Sequence, residues 1–326
     1  MTKAAELWSQ SRAGQRRALA QLLTLAESDS DAYLEIAAQV HQSTRGALRV
    51  GFTGPAGAGK STLIDAVVKG LRALRRKVAV LATDPTSEIS GGALLGDRVR
   101  TTFEAPDPGL FFRSLGSRGA RGGLSAAADD LLEILDACGF DRLLVEAAGA
   151  GQSETDIAHV VDGTIVVFQP GTGDLVQAMK AGLVEAGDLF VINKADLPGA
   201  ELAAESLRSA LALSSRTQTS PAPDVLLVSA LENHGLDPLV RWIEQCAERA
   251  CGRDAEESRR RDRLERRLKA LLERWWTAEL DRTLEGETLD RLFDRWRHGD
   301  SAHHLAAEII ARLQGPGGGT RRSEQR

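Results

Sequence analysis

Short runs of apolar residues recur through the middle of the chain, and segments with helical periodicity separate them. Each run is four to six residues long, the usual length of a buried strand. The runs lie at residues 48–53, 78–83, 109–113, 142–146, 163–168, 188–192 and 225–228. Because strands that alternate with helices form parallel sheets, this pattern predicts an α/β domain over residues 46–250, with a mostly parallel sheet and helices on both faces.

Both ends of the chain show helical patterns without strands. Apolar positions at helical spacing over residues 3–42 predict two short helices within an N-terminal helical extension, residues 1–45. Residues 251–314 are helical in pattern and highly charged, which predicts a C-terminal helical region. The glycine-rich and charged composition of residues 315–326 predicts a disordered tail.

The first apolar run and the helix after it enclose a complete GxxxxGK[ST] sequence, Gly54-Pro55-Ala56-Gly57-Ala58-Gly59-Lys60-Ser61. Glycines let consecutive backbone N–H groups converge on a phosphate, and the helix N-terminus adds its positive dipole end. Lys60, which we expect to be an exposed loop lysine, would contact the β- and γ-phosphates. The predicted nucleotide-binding residues here are Gly54, Ala56, Gly57, Ala58, Gly59, Lys60, Ser61 and Thr62. The segment therefore predicts a P-loop NTPase.

Two later loops indicate which base is bound. Asn193-Lys194-Ala195-Asp196 follows the run at 188–192 and matches NKxD, the guanine-binding signature of G proteins. The Asp196 carboxylate can accept hydrogen bonds from both N1–H and the 2-amino group of guanine, a pair of donors that adenine lacks. Ser229-Ala230-Leu231 follows the run at 225–228 and resembles the loop whose backbone N–H meets guanine O6. The predicted nucleotides are GTP and GDP.

The run at 142–146 ends in an ExxG sequence, Glu146-Ala147-Ala148-Gly149. A carboxylate at the end of a strand beside a phosphate site can coordinate Mg²⁺, and Gly149 would contact the γ-phosphate. Gln152 and Glu154 follow in the same segment, and we interpret residues 149–154 as a nucleotide-sensing switch.

Two further acids come before this segment. Asp84 closes the run at 78–83, and Asp97 lies in the sequence SGGALLGDR. Three carboxylates at one phosphate site would repel one another unless a divalent cation lay among them. Each acid taken singly also fits a turn or a helix cap. The predicted Mg²⁺ ligands are Ser61, Asp84, Asp97 and Glu146.

Composition limits the possible partners and compartments. A net charge of −5 and a pI near 5.8 favour neither nucleic acid nor an anionic membrane as a partner. No apolar run approaches the roughly 20 residues that span a bilayer, and the N-terminal segment lacks an apolar signal core. Three scattered cysteines indicate a reducing compartment. We expect a cytoplasmic enzyme.

Several sequence blocks, taken in order, resemble the methylmalonyl-CoA mutase-associated GTPases, which are metallochaperone-class G proteins. The blocks are VGFTGPAGAGKSTLIDA, LATDPTS, SGGALLGDR, SRGARGG, VEAAGAGQSE, PGTGD and NKAD. The resemblance covers about residues 45–250. It implies that Asp84, Asp97 and Glu146 surround Mg²⁺ beside Ser61, and that mobile switches lie near residues 84–104, 149–158 and 171–186.

The resemblance also implies a function. Family members hydrolyse GTP to GDP and phosphate, form homodimers through the C-terminal helices and bind a cobalamin-dependent acyl-CoA mutase. They gate the delivery of adenosylcobalamin and help to remove damaged cofactor. The partner mutase would be the methylmalonyl enzyme or a related isobutyryl- or hydroxyisobutyryl-CoA mutase. Lys180 and Glu185 are charged candidates in the third switch, and Ala147 replaces the threonine usual in the family.

Two other functions remain open at this stage. A nickel-delivery GTPase of the same class would need clustered Cys or His ligands, and His303-His304 is the only adjacent histidine pair. A small-molecule kinase would need an acceptor pocket with a general base, and the guanine signature argues against the usual ATP donor.

Overall fold

The structure, a computed structural model, describes residues 2–28, 30–84, 107–116, 123–147, 157–171, 187–213, 223–250, 253–285 and 287–314. The chain divides into two compact units, Met1–Ala270 and Leu271–Arg326.

One parallel sheet forms the centre of the first unit. Its strands are β1 (Leu48–Thr53), β2 (Val78–Asp84), β3 (Leu110–Gly116), β4 (Arg142–Glu146), β5 (Gly163–Phe168), β6 (Leu189–Ile192) and β7 (Asp224–Leu227). They are arranged in the order β3-β2-β4-β1-β5-β6-β7, and every neighbouring pair is parallel. All seven predicted runs are strands, and the predicted α/β fold is confirmed. The carboxyl ends of the parallel strands therefore meet at one edge of the sheet, where ligands bind in such folds.

Helices cover the sheet and extend the chain at both ends. They are α1 (Lys3–Arg12), α2 (Arg16–Ser28), α3 (Ser30–Gln42), α4 (Lys60–Ala73), α5 (Gly123–Ala137), α6 (Ala200–Leu213), α7 (Leu236–Ala250), α8 (Arg253–Thr283), α9 (Glu287–Arg297) and α10 (Ala302–Gln314), with a 3₁₀ turn at Ile157–His159. No helix in the described parts of the chain is long and apolar enough to cross a membrane.

The prediction of two helices before β1 is wrong, because the structure has three. Gly14 adopts a left-handed conformation with φ of +85° immediately after α1, which a continuing right-handed helix cannot contain. A second break separates α2, which ends at Ser28, from α3, which begins at Ser30. Serine competes for backbone hydrogen bonds and so favours helix ends over helix interiors.

The N-terminal helices share an apolar core with the sheet. Leu22, Leu23 and Ile36 are buried in the same cluster as Leu131 of α5 and Val145 of β4. The opposite face is covered by α4 and α7, whose apolar side chains pack on β1, β4 and β5. The helices of the N-terminal extension therefore stabilise the sheet directly, through the same burial of apolar surface that holds the sheet's own helices.

A buried ion cluster joins Arg267, midway along α8, to α5 within the first unit. The Arg267 guanidinium donates to Asp130 Oδ1 at 2.6 Å and also pairs with Glu133, and both acids lie on α5. Asp130 and Glu133 are only 5% and 7% exposed. Tyr33 of α3 borders the cluster, where burial, followed by the charges of Asp130 and Glu133, raises its pKa well above the usual value. Removing Arg267 would leave two buried carboxylates without this cation, which is strongly destabilising.

The second unit consists of the end of α8 with α9 and α10. Arg295 of α9 pairs with Asp300 and with Glu308 of α10 at 2.8 Å each. Large apolar side chains remain about half exposed on this unit: Leu272, Trp275, Leu289, Phe293, Trp296 and Ile310. Single exposed apolar residues are ordinary, but six lie on the end of α8, α9 and α10, and we call these six side chains the C-terminal apolar surface.

Candidate nucleotide-binding site

The GxxxxGK[ST] sequence forms a loop between β1 and α4. A Cβ atom at Gly54, where φ is +132°, would lie 2.1 Å from the Val167 carbonyl oxygen of β5, so a side chain is excluded there. Gly59 caps the N-terminus of α4 with φ of +85°. The loop thus passes close to the neighbouring strand and enters the helix through a left-handed residue, which directs the first amides of α4 toward the loop interior.

Lys60 folds back into this loop. Its ammonium group donates to the carbonyl oxygens of Gly54 at 2.7 Å and Pro55 at 3.1 Å. The expectation of an exposed lysine is wrong, because the residue is only 7% exposed. The side chain lies along the first turn of α4 and its charge is directed into the space that the loop encloses. A phosphate in that space would meet a positioned cation.

Ser61 and Glu146 meet at the mouth of the loop. The register of β1 and β4 places Phe52 opposite Glu146, and the Ala147 amide donates to the Phe52 carbonyl at 2.9 Å. Ser61 Oγ donates to Glu146 Oε1 at 2.5 Å, and Glu146 is 7% exposed. A hydroxyl and a carboxylate are the hard oxygen ligands that Mg²⁺ prefers, so these two side chains fit that ion.

The other predicted metal and switch residues are only partly described. Asp84 is the last residue of β2, two positions beyond the Ala82–Glu146 pair, so its backbone lies at the same edge of the sheet as Glu146. Asp97, Gly149, Gln152, Glu154, Lys180 and Glu185 lie outside the described residues, as do most of the predicted switches and the tail from residue 315.

Asn193 joins three loops. Its amide nitrogen donates to the carbonyl oxygens of Ala58 at 2.9 Å and Gly59 at 3.3 Å, and its Oδ1 accepts from the Ala230 amide at 3.3 Å. The side chain is 2% exposed. It therefore fixes the positions of the phosphate-binding loop, the loop after β6 and the loop after β7 relative to one another.

Asp196 is held by the loop after β7. Ser229 Oγ donates to Asp196 Oδ1 at 2.5 Å, and the Ala195 amide donates to the Val228 carbonyl at 3.0 Å. The Ser229 backbone is fixed in turn by two hydrogen bonds of 3.0 Å with His234. One carboxylate oxygen is thus occupied by the serine, which sets the orientation of the whole group.

These loops enclose a cleft whose lining consists of residues predicted to bind the nucleotide. They are Gly59, Thr62, Asn193, Lys194, Asp196, Ser229, Ala230 and Leu231. The cleft adjoins the N-terminus of α4, so a base in the cleft and phosphates in the loop would belong to one bound molecule. The arrangement offers an acidic acceptor, a backbone donor and a phosphate site in the order that a guanine nucleotide requires.

Sequence reasoning missed Gln169. This residue follows β5 directly, and its Oε1 accepts a hydrogen bond of 2.5 Å from the Lys194 ammonium group. The same ammonium group donates to the Gly57 carbonyl at 2.8 Å. The only sequence signal for Gln169 is a polar side chain at the end of a predicted strand, which on its own indicates no specific partner.

The features that a nickel-delivery protein would need are not found in the described parts of the chain. No group of three or more Cys, His, Asp or Glu residues that could hold a metal occurs there. Cys246 of α7 packs against an apolar core, and burial raises the pKa of Cys138 to about 11, which keeps this thiol protonated. His303 and His304 lie exposed on α10.

Comparisons with known proteins agree with the geometry. The sequence model of the family described as "Methylmalonyl Co-A mutase-associated GTPase MeaB" matches residues 19–282. A protein named as a GTPase in Pyrococcus abyssi is 39% identical over 307 residues, which are 94% of this chain and 95% of the relative. The mouse protein named "Methylmalonic aciduria type A homolog, mitochondrial" is 35% identical over 241 residues, which are 68% of this chain and 58% of that protein.

A solved structure extends the similarity to almost the whole chain. The crystal structure named "LAO/AO transport system kinase" has a TM-score of 0.69 with this chain at 29% identity, and the match covers 96% of this chain and 98% of the other. Together with the family match over most of the sequence, this supports guanine-nucleotide binding and GTP hydrolysis. The chain belongs to the methylmalonyl-CoA mutase-associated GTPase family.

Proposed function

We propose that this protein is a Mg²⁺-dependent GTPase that serves as the chaperone of an adenosylcobalamin-dependent acyl-CoA mutase. The observation that carries the proposal is the family match over residues 19–282, joined to a cleft that is lined by residues predicted to bind the nucleotide. GTP binding and hydrolysis would gate the loading of the cofactor and protect or reactivate the mutase.

In this proposal the described residues bind and orient GTP. Asp196 accepts from guanine N1–H and the 2-amino group, and the Ala230 amide donates to guanine O6. Lys60 exchanges its two carbonyl partners for phosphate oxygens and so offsets the negative charge that grows during phosphoryl transfer. The family resemblance assigns a catalytic role in GTP hydrolysis to three further residues, Gly149, Gln152 and Glu154.

Mg²⁺ would be held by Ser61 and Glu146, with Asp84 and Asp97 as the further acids that the resemblance assigns. When bound, the ion neutralises charge on the β- and γ-phosphates. The Ser61–Glu146 hydrogen bond of 2.5 Å supports this assignment, because it brings the hydroxyl and a carboxylate oxygen together beside the phosphate loop.

Glu146→Gln should raise the Mg²⁺ concentration needed for half-maximal GTP hydrolysis, by about tenfold or more, because a charged ligand becomes a neutral one. The measurement is a Mg²⁺ titration at saturating GTP. Glu201→Gln, an exposed change on α6, is the matched control and should leave the titration unaltered. An unshifted titration for Glu146→Gln would remove this residue from the metal site.

Turnover by the isolated protein should be slow and should respond to the mutase. G proteins that lack a partner's arginine turn over at about 10⁻²–10⁻⁴ s⁻¹. We expect phosphate release in this range, and an increase of about tenfold or more when the cognate apo-mutase orders the switches. The assay should compare methylmalonyl-, isobutyryl- and hydroxyisobutyryl-CoA mutases, with a cobalamin-independent acyl-CoA enzyme as the control. Rapid turnover alone and no response to any of these mutases would refute the chaperone proposal.

The same assay distinguishes a kinase from a GTPase. A small-molecule kinase releases little phosphate without an acceptor, whereas the proposed enzyme hydrolyses GTP in water.

We further propose a cytoplasmic location, since the three scattered cysteines fit a reducing compartment.

We also propose that the protein is a homodimer through the C-terminal apolar surface. Trp275, Phe293 and Trp296 are 51%, 52% and 54% exposed in the single chain, and aromatic residues are enriched where proteins bind each other. Truncation after Arg249 is a poor test, because it removes Arg267, the cation that pairs with Asp130 and Glu133.

Point substitutions test the homodimer without disturbing the ion cluster. Trp275→Gln combined with Phe293→Gln and Trp296→Gln should convert a dimer to a monomer at micromolar concentration, measured as solution mass by light scattering. Leu202→Gln, at a still more exposed apolar position on α6 that is 69% exposed, is the control and should remain dimeric. A wild-type chain that is already monomeric, or a triple variant that stays dimeric, would exclude this interface.

A further inference from the structure

The loop after β5 contributes a side chain, Gln169, that contacts the cleft residue Lys194 and that none of the nucleotide motifs contains. Phe168 ends β5, and its carbonyl accepts a hydrogen bond of 2.8 Å from the backbone N–H of Asn193. This backbone contact brings Gln169 beside Lys194, where the amide oxygen lies 2.5 Å from the ammonium nitrogen. Gln169 is therefore placed by the sheet itself, through the pairing of β5 with β6.

The ammonium group of Lys194 is held by two hydrogen-bond acceptors. Its φ is +57°, the left-handed region, which costs a residue with a Cβ on the order of 1 kcal/mol relative to ordinary conformations. Its long side chain crosses from the base cleft to the phosphate loop, where the ammonium group donates to the Gly57 carbonyl at 2.8 Å. Gln169 supplies the second acceptor, so two contacts together hold the ammonium group at the far end of the lysine side chain.

We propose that Gln169 is a positioning residue for the guanine nucleotide, and that it acts through Lys194. By holding the ammonium group before the nucleotide arrives, Gln169 keeps the lysine side chain lying across the cleft as one wall for the base. It also keeps the Gly57 carbonyl turned toward Lys194 and away from the phosphates. The inference rests on the proposed nucleotide pocket and adds a supporting residue from a fourth loop, the one after β5.

The consequence is a slower loss of bound nucleotide. A lysine side chain that is free to move must be ordered each time a nucleotide binds, and this ordering costs affinity. A hydrogen bond to a charged group is among the stronger side-chain contacts, although partial exposure of this pair weakens it. We expect its loss to change affinity by a factor of about ten, which corresponds to about 1.4 kcal/mol.

The test compares two substitutions at one position. Gln169→Met keeps the length of the side chain and removes the acceptor. It should raise the dissociation rate of a fluorescent GDP analogue about tenfold. In GTP hydrolysis it should change KM more than kcat. Gln169→Glu keeps an acceptor oxygen for the ammonium group and should restore slow dissociation. Gln10→Met, which removes a glutamine amide that donates to Glu6 on α1, is the matched control.

A double-mutant cycle distinguishes positioning from a general structural effect. If Gln169 acts through Lys194, then Gln169→Met should add nothing to the faster dissociation of Lys194→Met. Additive effects of the two substitutions, or a wild-type dissociation rate for Gln169→Met, would overturn the inference. Failure of the wild-type protein to bind GDP would instead overturn the proposed function, so the two failures are distinguishable.

Discussion

Lys60→Ala should lower GTP turnover by about a thousandfold, which is the largest single effect we expect. Removing one positioned donor from a site that stabilises developing charge lowers the rate by a factor on the order of 10²–10³. Loss of the catalytic arginine that some GTPases use lowers the rate further. Lys60 is buried within the loop and its ammonium group already lies among the loop carbonyls, so an alanine leaves no other cation in its position. GTP affinity should fall as well. The measurement is phosphate release under single-turnover conditions, with the protein in saturating excess over GTP.

The control is Lys69→Ala, an exposed lysine on the same helix. It should retain the wild-type rate, because its side chain points away from the loop into solvent. Lys60→Ala itself should lower the free energy of unfolding only modestly, by about 1 kcal/mol, since it leaves the Gly54 and Pro55 carbonyls to water or to the loop. A variant that unfolds, as judged by thermal melting, would make the rate uninformative. A folded variant with a near-normal rate would show that Lys60 does not contact the phosphates.

The sheet and its active edge could be predicted because each rests on a local signal. Seven apolar runs predict seven strands, and the polar residues that follow β1, β4 and β6 must lie at one edge of a parallel sheet. Ser61, Glu146 and Asn193 come together for this reason, although β1 and β6 lie far apart in the sequence. The motifs and the strand pattern predict the same residues at this edge of the sheet, so the positions of the motif residues could be predicted from the sequence.

Features that depend on a distant partner were not predictable. Arg267 is one of many charged residues on α8, and nothing in its sequence neighbourhood distinguishes it from Arg266 or Lys269. Only the packing of α8 on α5 shows that Arg267 is the arginine that neutralises Asp130. The burial of Lys60 has the same origin. The carbonyl oxygens that accept hydrogen bonds from its ammonium group are positioned by the fold of the loop, which the sequence pattern does not specify.

Gln169 is the intermediate case. Its position at the end of β5 is predictable from the apolar run at 163–168, and the order of the strands then places it beside Lys194. What the sequence could not supply is that order, because β5 and β6 could have been separated by another strand. A residue whose partner is fixed by strand order becomes visible only when the sheet is known.

The second large effect is expected for Asp196→Asn, which changes the base that the cleft prefers. Ser229 Oγ can still donate to Oδ1 of an asparagine, so the loop keeps its hydrogen bond of 2.5 Å and its shape. The second oxygen, however, becomes an NH₂ donor that faces the donors of guanine. Affinity for GTP should fall on the order of 30-fold, equivalent to about 2 kcal/mol. Xanthine carries a carbonyl at position 2, so affinity for XTP should rise.

Competition between nucleotides measures this change directly. Dissociation constants for GTP, XTP and ATP should be determined for the wild type, for Asp196→Asn and for Asp224→Asn, an exposed control at the start of β7. ATP affinity should hardly change in Asp196→Asn, because adenine gives the Asp196 carboxylate no pair of donors to lose, and the control should match the wild type for all three nucleotides. Since Asn193 still ties the loop to the phosphate site, phosphate contacts should be retained. If Asp196→Asn kept the wild-type preference for GTP over XTP and ATP, then Asp196 would not contact the base.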